Sequence, residues 1–575
     1  EISACLVGSE MCIRDRNTAK LMELHGENDF KVKSYQSAVN SLERQNKSLA
    51  VMEVNELQKI DGVGKSLAQA INQINEQGSF ELFDDLSTKT PEGILEMMEL
   101  SGFGPKKIKL IWEELEIDNL EDLLVACKEN KIAPLKGFGA KTQIKLQEAV
   151  EFKLSWRGFI HYREAEKLAE KITEEIKSLD GVKEVSVTSD TRRKMEVIKP
   201  LEILVAADNK AKVIQYVAKN AEFDLDRKNS GPLSLKFIYK SLKAEINLIF
   251  TSKDQFINDL FKTTAHPKHL NTELEKGESF NHILKEKQFS SEEEIYAAAG
   301  LPYIVPELRE GLWEMDWAKE NAIPKLVEMS DLKGILHNHS TYSDGKNSLE
   351  EMAQYCKDLG YEYLGISDHS KTAAYADGLQ EFKVKKQHEE IDALNKKMAP
   401  FKIFKGIESD ILNDGSLDYS NDILESFDFV VSSIHSPLNM EEKTATNRLL
   451  NAIANPFTTI LGHPTGRLLL QRKGYPINHK AVIDACAEYG VVIEINAHPW
   501  RLDLDWRYVR YALDNGVQIS INPDAHETKG YHDMYYGLCV GRKAGLTAKE
   551  TFNAKSLEEI SQYFSDRKKS ALSKI

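Results

Sequence analysis

The decapeptide Leu336-His337-Asn338-His339-Ser340-Thr341-Tyr342-Ser343-Asp344-Gly345 decides how the rest of the chain is read. Its lead-in, Gly334-Ile335-Leu336, has the short apolar character of a buried strand, and strand alternation puts His337 and His339 on one face at the exit. Two imidazoles at i and i+2 can grip one metal ion. A lone HxH is weak, because two exposed histidines recur by chance; the sequence downstream strengthens it. Single ligand-type residues recur at the ends of apolar runs, in Tyr363 to His369, Ile403 to Glu408, Phe429 to His435, Thr459 to His463, and Val517 to Asp524 and His526. Amphipathic helix patterns such as Ser348 to Leu359 and His479 to Tyr489 lie between them. With Val491 to Asn496, which reads as a strand without a ligand, the runs make seven strands in β-α alternation, and hence a parallel sheet. In an α/β barrel the side chains at the carboxyl ends of the strands converge on one mouth. His337, His339, Asp344, His369, Glu408, His435, His463, Asp524 and His526 would share that mouth, more ligands than one ion can use.

The motifs HNHSTYSDG, SDH, GIE, SSIH, GHPTGR and DAH resemble those of the PHP (polymerase and histidinol phosphatase) phosphoesterase domain, from about Lys333 to the C-terminus. The resemblance implies a distorted seven-stranded (β/α) barrel holding about three divalent ions per chain, manganese or zinc, with iron as a further option. It assigns His337, His339, Glu408 and Asp524 to the first ion and Asp344, His369 and His526 to the second. Glu408, His435 and His463 would take the third, so that Glu408 bridges. Glu408, Asp344 and His369 are the candidate catalytic residues.

A chain of 575 residues is long enough for several cores. It is 41% hydrophobic and 29% charged, and its formal charge of -15 argues against indiscriminate polyanion binding, so any nucleic-acid contact must be local. No apolar run approaches the length of a membrane span. The six cysteines, Cys5, Cys12, Cys127, Cys356, Cys486 and Cys539, lack CxxC spacing; Cys356 and Cys486 fall in helical patterns and read as buried thiols of a cytoplasmic protein. Residues 1–16 match nothing after them and lack the core of a signal peptide; they read as a non-native leader.

From residue 17 to 150 the pattern is helical, punctuated by Ile60-Asp-Gly-Val-Gly-Lys65, Leu100-Ser-Gly-Phe-Gly-Pro105 and Leu135-Lys-Gly-Phe-Gly-Ala140. Three glycine pairs in one frame, Gly62 and Gly64, Gly102 and Gly104, Gly137 and Gly139, form an internal repeat. Each allows a tight hairpin and exposes the N–H groups of the next helix, which can cradle a phosphate. They resemble helix-hairpin-helix binders of the DNA backbone. The stretch has 16 basic against 22 acidic residues, so DNA binding should be weak and salt-sensitive, with Lys106, Lys107, Lys109, Lys141 and Lys145 beside the hairpins.

Hairpins, then a mixed α/β region ending in Glu294 to Arg309, then the phosphoesterase motifs resemble bacterial family X DNA polymerases with a C-terminal PHP domain. The implied fold is multidomain α and α/β: a helical N-terminal domain with a hairpin (17–95), a fingers-like hairpin domain (96–155), a nucleotidyltransferase-like palm (156–255), a thumb and linker (256–325) and the barrel (333–575). Aligned on Arg192-Arg193, the palm departs from the family. Ser189-Asp190 stands for a Gly-Ser pair, and Lys199-Pro200-Leu201-Glu202 for Gly-Asp-x-Asp. Asn247 replaces the third carboxylate, Thr263-Thr-Ala-His266 a Thr-Gly-Ser turn, and Ala70 a lyase lysine. Two-metal nucleotidyl transfer needs those carboxylates. With Asp190, Pro200, Glu202 and Asn247 in place, polymerisation is expected to be absent.

Arg467 and Arg501, just past strand ends, are candidate clamps for a substrate phosphate, and His498 is a candidate pocket residue. The functional expectation is a metal-dependent phosphodiesterase acting on DNA, at gaps or 3′ ends, as a 3′-5′ exonuclease or end processor in repair. A small-molecule phosphatase of the histidinol phosphatase type and a noncatalytic DNA-binding scaffold are the alternatives.

Overall fold

The computed structural model describes residues 17–43, 52–77, 79–100, 102–274 and 277–574. The segment 1–16, expected to be a leader, lies outside them, with Cys5 and Cys12. The chain divides into two compact units, 1–157 and 158–575. Among the described residues no helix is long and apolar enough to cross a membrane.

The first unit is helical. Gly62, Gly102 and Gly137, the first glycine of each hairpin, have φ of +78°, +83° and +81°, a left-handed turn that other residues adopt at a cost. The helices Lys65–Gln77, Pro105–Leu115 and Ala140–Ser155 begin directly after the second glycines. Two apolar cores hold the unit together, one around Leu57, Ala68, Ile71 and Phe80, the other around Ile94, Ile108, Leu123 and Leu146. Leu21, Met22 and Leu86 belong to the second core, so core membership does not follow the border expected at residue 95.

The second unit opens with a five-stranded sheet of β1 (Val182–Val187), β2 (Leu201–Ala207), β3 (Phe223–Gly231), β4 (Ser234–Tyr239) and β5 (Ala244–Thr251), in the order β1-β2-β5-β4-β3. Alternation along β2 sends Ile203 and Val205 to a core shared with the helices Tyr162–Lys177 and Lys210–Lys219. Leu204 and Ala206 face Phe256 and Leu260 on the other side. A helical module follows, packed on Phe261, Phe280, Ile295 and Tyr296.

Seven parallel strands then run in sequence order: β6 (Gly334–Ile335), β7 (Tyr363–Ile366), β8 (Lys402–Asp410), β9 (Phe429–Ser433), β10 (Ile460–Leu461), β11 (Val492–Asn496) and β12 (Ile519–Asn522). Beyond the ends of the first and last strands, Asn338 pairs with Ala525. The Asp524 N–H donates to the His337 carbonyl at 3.1 Å, and the His339 N–H to that of Ala525 at 2.8 Å. These contacts bring the sheet close to a closed barrel. The strands are buried at nearly every position and mainly apolar, with the polar residues concentrated toward their carboxyl ends. Gly406 has no room for a side chain, since a Cβ there would lie 2.2 Å from the Phe429 ring. The helices Leu349–Asp358 and His479–Tyr489 fill the expected crossover positions, and Cys356 and Cys486 are buried in them.

Within this unit the five-stranded region is tied to the barrel by buried charge. Lys543 lies 2.9 Å from the Arg193 carbonyl and 2.7 Å from Glu310, and Arg507 lies 3.1 Å from Glu196.

Candidate metal centre

His337 and His339 follow β6, His369 follows β7, Glu408 lies in β8, His435 and His463 follow β9 and β10, and Asp524 and His526 follow β12. Asp344 arrives by the turn that closes when the Gly345 N–H donates to the Ser340 carbonyl at 3.0 Å. A Cβ at Gly345 would sit 2.5 Å from the His339 carbonyl oxygen. All nine expected residues therefore reach one end of the barrel. Two of them, His463 and Asp524, have positive φ, +21° and +52°, a backbone strain of the kind that accumulates at functional sites.

Glu408 is fully buried at the centre. One carboxylate oxygen lies 3.3 Å from His337 Nε2, 3.2 Å from His435 Nε2 and 3.0 Å from His463 Nε2. The other lies 2.9 Å from His369 Nδ1 and 3.7 Å from His339 Nε2. Three groups bring their ligand atoms within 4.8 Å of one another: His339, Asp344, His369 and His526; His337, His339 and Asp524; and His369, Glu408 and His435. Relative to the expected sets, Glu408 is absent from the first group, His339 also joins the second, and His369 takes the place of His463 in the third. His463 instead touches Glu408 directly.

The outer side of the site fixes the inner side. His337 Nδ1 lies 2.7 Å from Glu494, His435 Nδ1 2.6 Å from Asp410, and His526 Nδ1 3.0 Å from the Asp524 carbonyl. Carboxylates and carbonyls only accept here, so each Nδ1 carries a proton and each Nε2 is the atom turned inward, available to a metal once it gives up its own proton. His337 Nε2, His369 Nδ1 and Glu408 Oε2 are buried without a hydrogen-bond partner, an expensive state for polar atoms that no cation engages. The donor set of imidazoles and carboxylates suits zinc, manganese or iron.

The charges agree. Burial opposes ionisation of Glu408, but His435, His337 and His369 hold its carboxyl well below the usual range. Asp524 is held down in the same way, by His337, His339 and Arg501 against burial. Burial lowers His435 and His526, but Glu408 and Asp410 raise the first to about 10, and Asp344 and Asp524 raise the second to about 9. His339 falls to about 3 through burial and the neighbouring His526 and His369. Acidic groups in this number call for positive charge among them, which protons or divalent ions can provide.

Three further carboxylates were not among the expected residues. Glu494 sits in β11, the strand read as ligand-free, and supports His337 and the His463 N–H. Asp410 shares the face of Glu408 two residues on. Asp368 is buried and accepts from the Ser340 and Ser343 N–H groups, both serine hydroxyls and Gln387, which pins the HNHS loop. A glutamate inside Val-Val-Ile-Glu-Ile-Asn was the available signal for the first, and the i+2 register for the second.

The two arginines separate. Arg467 is spent inside the protein, 2.6 Å from Asp505, 2.9 Å from the Arg501 carbonyl and bonded to that of Leu502, so its guanidinium does not face the centre as a phosphate clamp would. Arg501 does face it, with Nε 3.5 Å from Asp524. His498 is half-buried, and the burial it has lowers it to about 4 while Asp524 opposes.

Comparison with known proteins agrees with this architecture. A PHP domain model matches residues 336–498, a helix-hairpin-helix domain model 10–80, and a SAM-like helix-hairpin-helix tandem model 94–151. Over 564 residues, 95% of this chain, it is 34% identical to the DNA polymerase/3′-5′ exonuclease PolX of Bacillus subtilis (strain 168), covering 97% of that protein. The chain belongs to the bacterial family X type of DNA polymerase/exonuclease. Its barrel is a metal-binding PHP phosphoesterase domain within a polymerase-like architecture. A probable phosphatase of Thermoanaerobacter sp. (strain X514) is 28% identical over 252 residues, 41% of this chain and 97% of that protein. One of Clostridium novyi (strain NT) is 28% identical over 208 residues, 33% of this chain and 78% of that protein.

In the palm of this family X chain, Glu202 and Asn247 are register partners on β2 and β5, and the Asn247 amide donates to Glu202 at 2.8 Å. Arg192 is clamped on both carboxylate oxygens of Glu292 at 2.7 and 2.9 Å, and Arg309 takes the same carboxylate. Arg193 is held by Glu310 at 3.0 Å and by Asp190. Asp190 is thus an ion-pair partner of Arg193. His266 caps the short helix Pro267–Leu270, and Ala70 is buried in an apolar core. Among the described residues, the close groups of three or more ligand-type side chains all lie in the barrel.

Proposed function

We propose that this protein is a divalent-metal-dependent phosphodiesterase that trims DNA from 3′ ends, as a 3′-5′ exonuclease or end processor in repair, and that its polymerase core serves as a scaffold without nucleotidyl transfer. The observation that carries the reading is the Glu408-centred set of nine ligand-type residues in a chain that also presents three open glycine hairpins. Manganese or zinc, about three ions per chain, would be held by His337, His339 and Asp524, by Asp344, His369 and His526, and by Glu408, His435 and His463. Bound there, they supply Lewis-acid chemistry that acidifies a water nucleophile and polarises a phosphodiester. Glu408 holds the ligand groups in register. Glu494 and Asp410 keep His337 and His435 in the tautomer that offers Nε2, and Arg501 faces the position a phosphate oxygen would take.

The hairpins support DNA as the substrate. Gly64, Gly104 and Gly139 do not have positive φ, and a Cβ at any of them would meet nothing within 4 Å. Neither backbone strain nor internal packing demands glycine there, which leaves close approach by an external backbone. Lys107 lies over the Phe103 and Phe138 rings, at 5.4 and 5.5 Å, between the second and third hairpins, while Lys106 and Lys109 are paired with acidic side chains. The resulting grip is weak and salt-sensitive. The absence of disulfides among the four described cysteines fits work in the cytoplasm.

The printed activities of the relatives divide in the same way. The Bacillus protein, matched over 95% of this chain, is named a polymerase and exonuclease, and the relatives matched over 41% and 33% of it are named probable phosphatases. A small-molecule phosphatase is therefore the second reading. The test is full-length protein with manganese on end-labelled DNA and on histidinol phosphate. DNA shortened from the 3′ end, with loss of activity but not of DNA binding in His339→Ala and His435→Ala, is the expected result. Rapid hydrolysis of histidinol phosphate with intact DNA overturns it.

A further inference from the structure

One large side chain at the mouth of the barrel has no packing role. Tyr375 is 69% exposed, yet its ring lies 6.0 Å from that of His369 and 6.4 Å from that of His435. An aromatic left so open, beside the most buried charges of the domain, forgoes the burial that normally accounts for such a residue.

The loop that presents it is braced. Ser370 pairs with Leu379, whose N–H donates to the His369 carbonyl at 2.8 Å, and the Tyr419 hydroxyl donates to the Leu379 carbonyl. Gly378 folds so tightly over Ser370 that a Cβ would come within 1.9 Å of its carbonyl oxygen. Thr372 binds Asp418 through its N–H at 2.7 Å and Asp410 through its hydroxyl at 2.9 Å. Asp410 is also the carboxylate that orients His435. The exposed ring is thus anchored through two hydrogen bonds to a candidate ligand, on a pre-organised loop.

We propose that Tyr375 is a stacking platform for an unpaired nucleobase: the base of the strand-terminal nucleotide lies on this ring while its phosphodiester sits at the ligand cluster beside Arg501. This rests on the nuclease reading above. Stacking on an aromatic face is tolerant of sequence because every base has a π-face, and it requires the base to be out of the duplex. The platform therefore selects single-stranded or frayed ends of any sequence. A phosphate ester without a base gains nothing from it.

The experiment compares full-length wild type, Tyr375→Ala and Tyr375→Phe, loaded with manganese, on two single-stranded DNAs that differ only in whether the 3′-terminal nucleotide carries its base. Tyr375→Ala is expected to raise KM on the normal end about tenfold with little change in kcat, and Tyr375→Phe to restore wild-type KM. On the baseless end wild type and Tyr375→Ala should be equal. Because the side chain is exposed, unchanged melting temperatures should accompany these values. Equal KM for wild type and Tyr375→Ala on the normal end overturns the platform while leaving the nuclease reading intact, and so does an equal loss on both ends. A wild type that shortens neither DNA overturns both.

Discussion

The palm and the barrel of the second unit each bring acidic residues to strand ends beside basic ones, and they resolve the resulting charge in opposite ways. Around the palm and the segment that follows it, Arg192 and Arg309 share Glu292, Arg193 is divided between Glu310 and Asp190, and Glu202 takes a hydrogen bond from Asn247. In the barrel the outer nitrogens of His337, His435 and His526 are satisfied, while His337 Nε2, His369 Nδ1 and Glu408 Oε2 are buried at the centre without hydrogen bonds. A site whose valences are closed internally has the properties of a scaffold. One whose valences all point to a common centre has those of a binding site.

The most direct attempt to break this contrast removes one carboxylate from each side. Glu408→Gln should lower phosphodiester hydrolysis on the order of a thousandfold and reduce the divalent ions retained per chain, measured by rate assay and elemental analysis. Glu202→Ala should leave both within about twofold. Comparable losses in the two variants would erase the distinction.

Restoring the lost acids tests the palm from the other direction. The triple variant Pro200→Asp, Glu202→Asp, Asn247→Asp should still fail to extend a primer with manganese, because Arg192 and Arg193 remain locked by Glu292 and Glu310. Robust incorporation of labelled nucleotide by that variant would show that the ion pairs are no barrier. Wild-type incorporation that persists without the barrel would show the palm to be active.

A smaller effect is expected one layer out from the ligands. Glu494→Gln should cost about 10- to 100-fold in metal affinity or activity by loosening His337, with the fold retained by circular dichroism. An unchanged metal titration would mean that the tautomer of His337 does not matter.

The smallest effect is on stability. Burial resists the charge of Glu292, but Arg192 and Arg309 hold its carboxyl at about 2, against an ordinary glutamate value of 4.5. A depressed carboxyl contributes stability that is complete above the unfolded value and is lost as pH falls through the folded one, so the window is from about 4.5 down to about 2. The contribution is about 3 kcal/mol at most. Denaturant midpoints of Glu292→Gln should show a flatter acid dependence than wild type across that window.

Much of the barrel could be read from residue order. A short, mainly apolar run that ends in a histidine or an acid leaves few options, and six such runs and one without a ligand, with helical spacers, point to a parallel sheet. The nine ligand-type positions followed from the strand ends and the PHP motifs. Glu494 was missed because its strand was read by its end, where no ligand stands, and not by its middle, where a carboxylate interrupts Ile493 and Ile495. Arg467 and Arg501 look equivalent in sequence, each a few residues past a strand. Only the fold of residues 500–505 spends one on Asp505 and two carbonyls and leaves the other on Asp524.

What the sequence alone determined, then, is which residue types stand at which strand ends, and with them the barrel, the hairpins and the missing palm carboxylates. These follow from local periodicity and short-range spacing, properties of a few neighbouring residues. The tertiary structure decided which charges are spent and which are left over: Arg192 and Arg309 on Glu292, Arg467 internal, Glu494 behind His337, Tyr375 open above the cluster. Such outcomes depend on distances between residues separated by up to 157 positions in the chain, as His337 and Glu494 are, and only packing sets those distances.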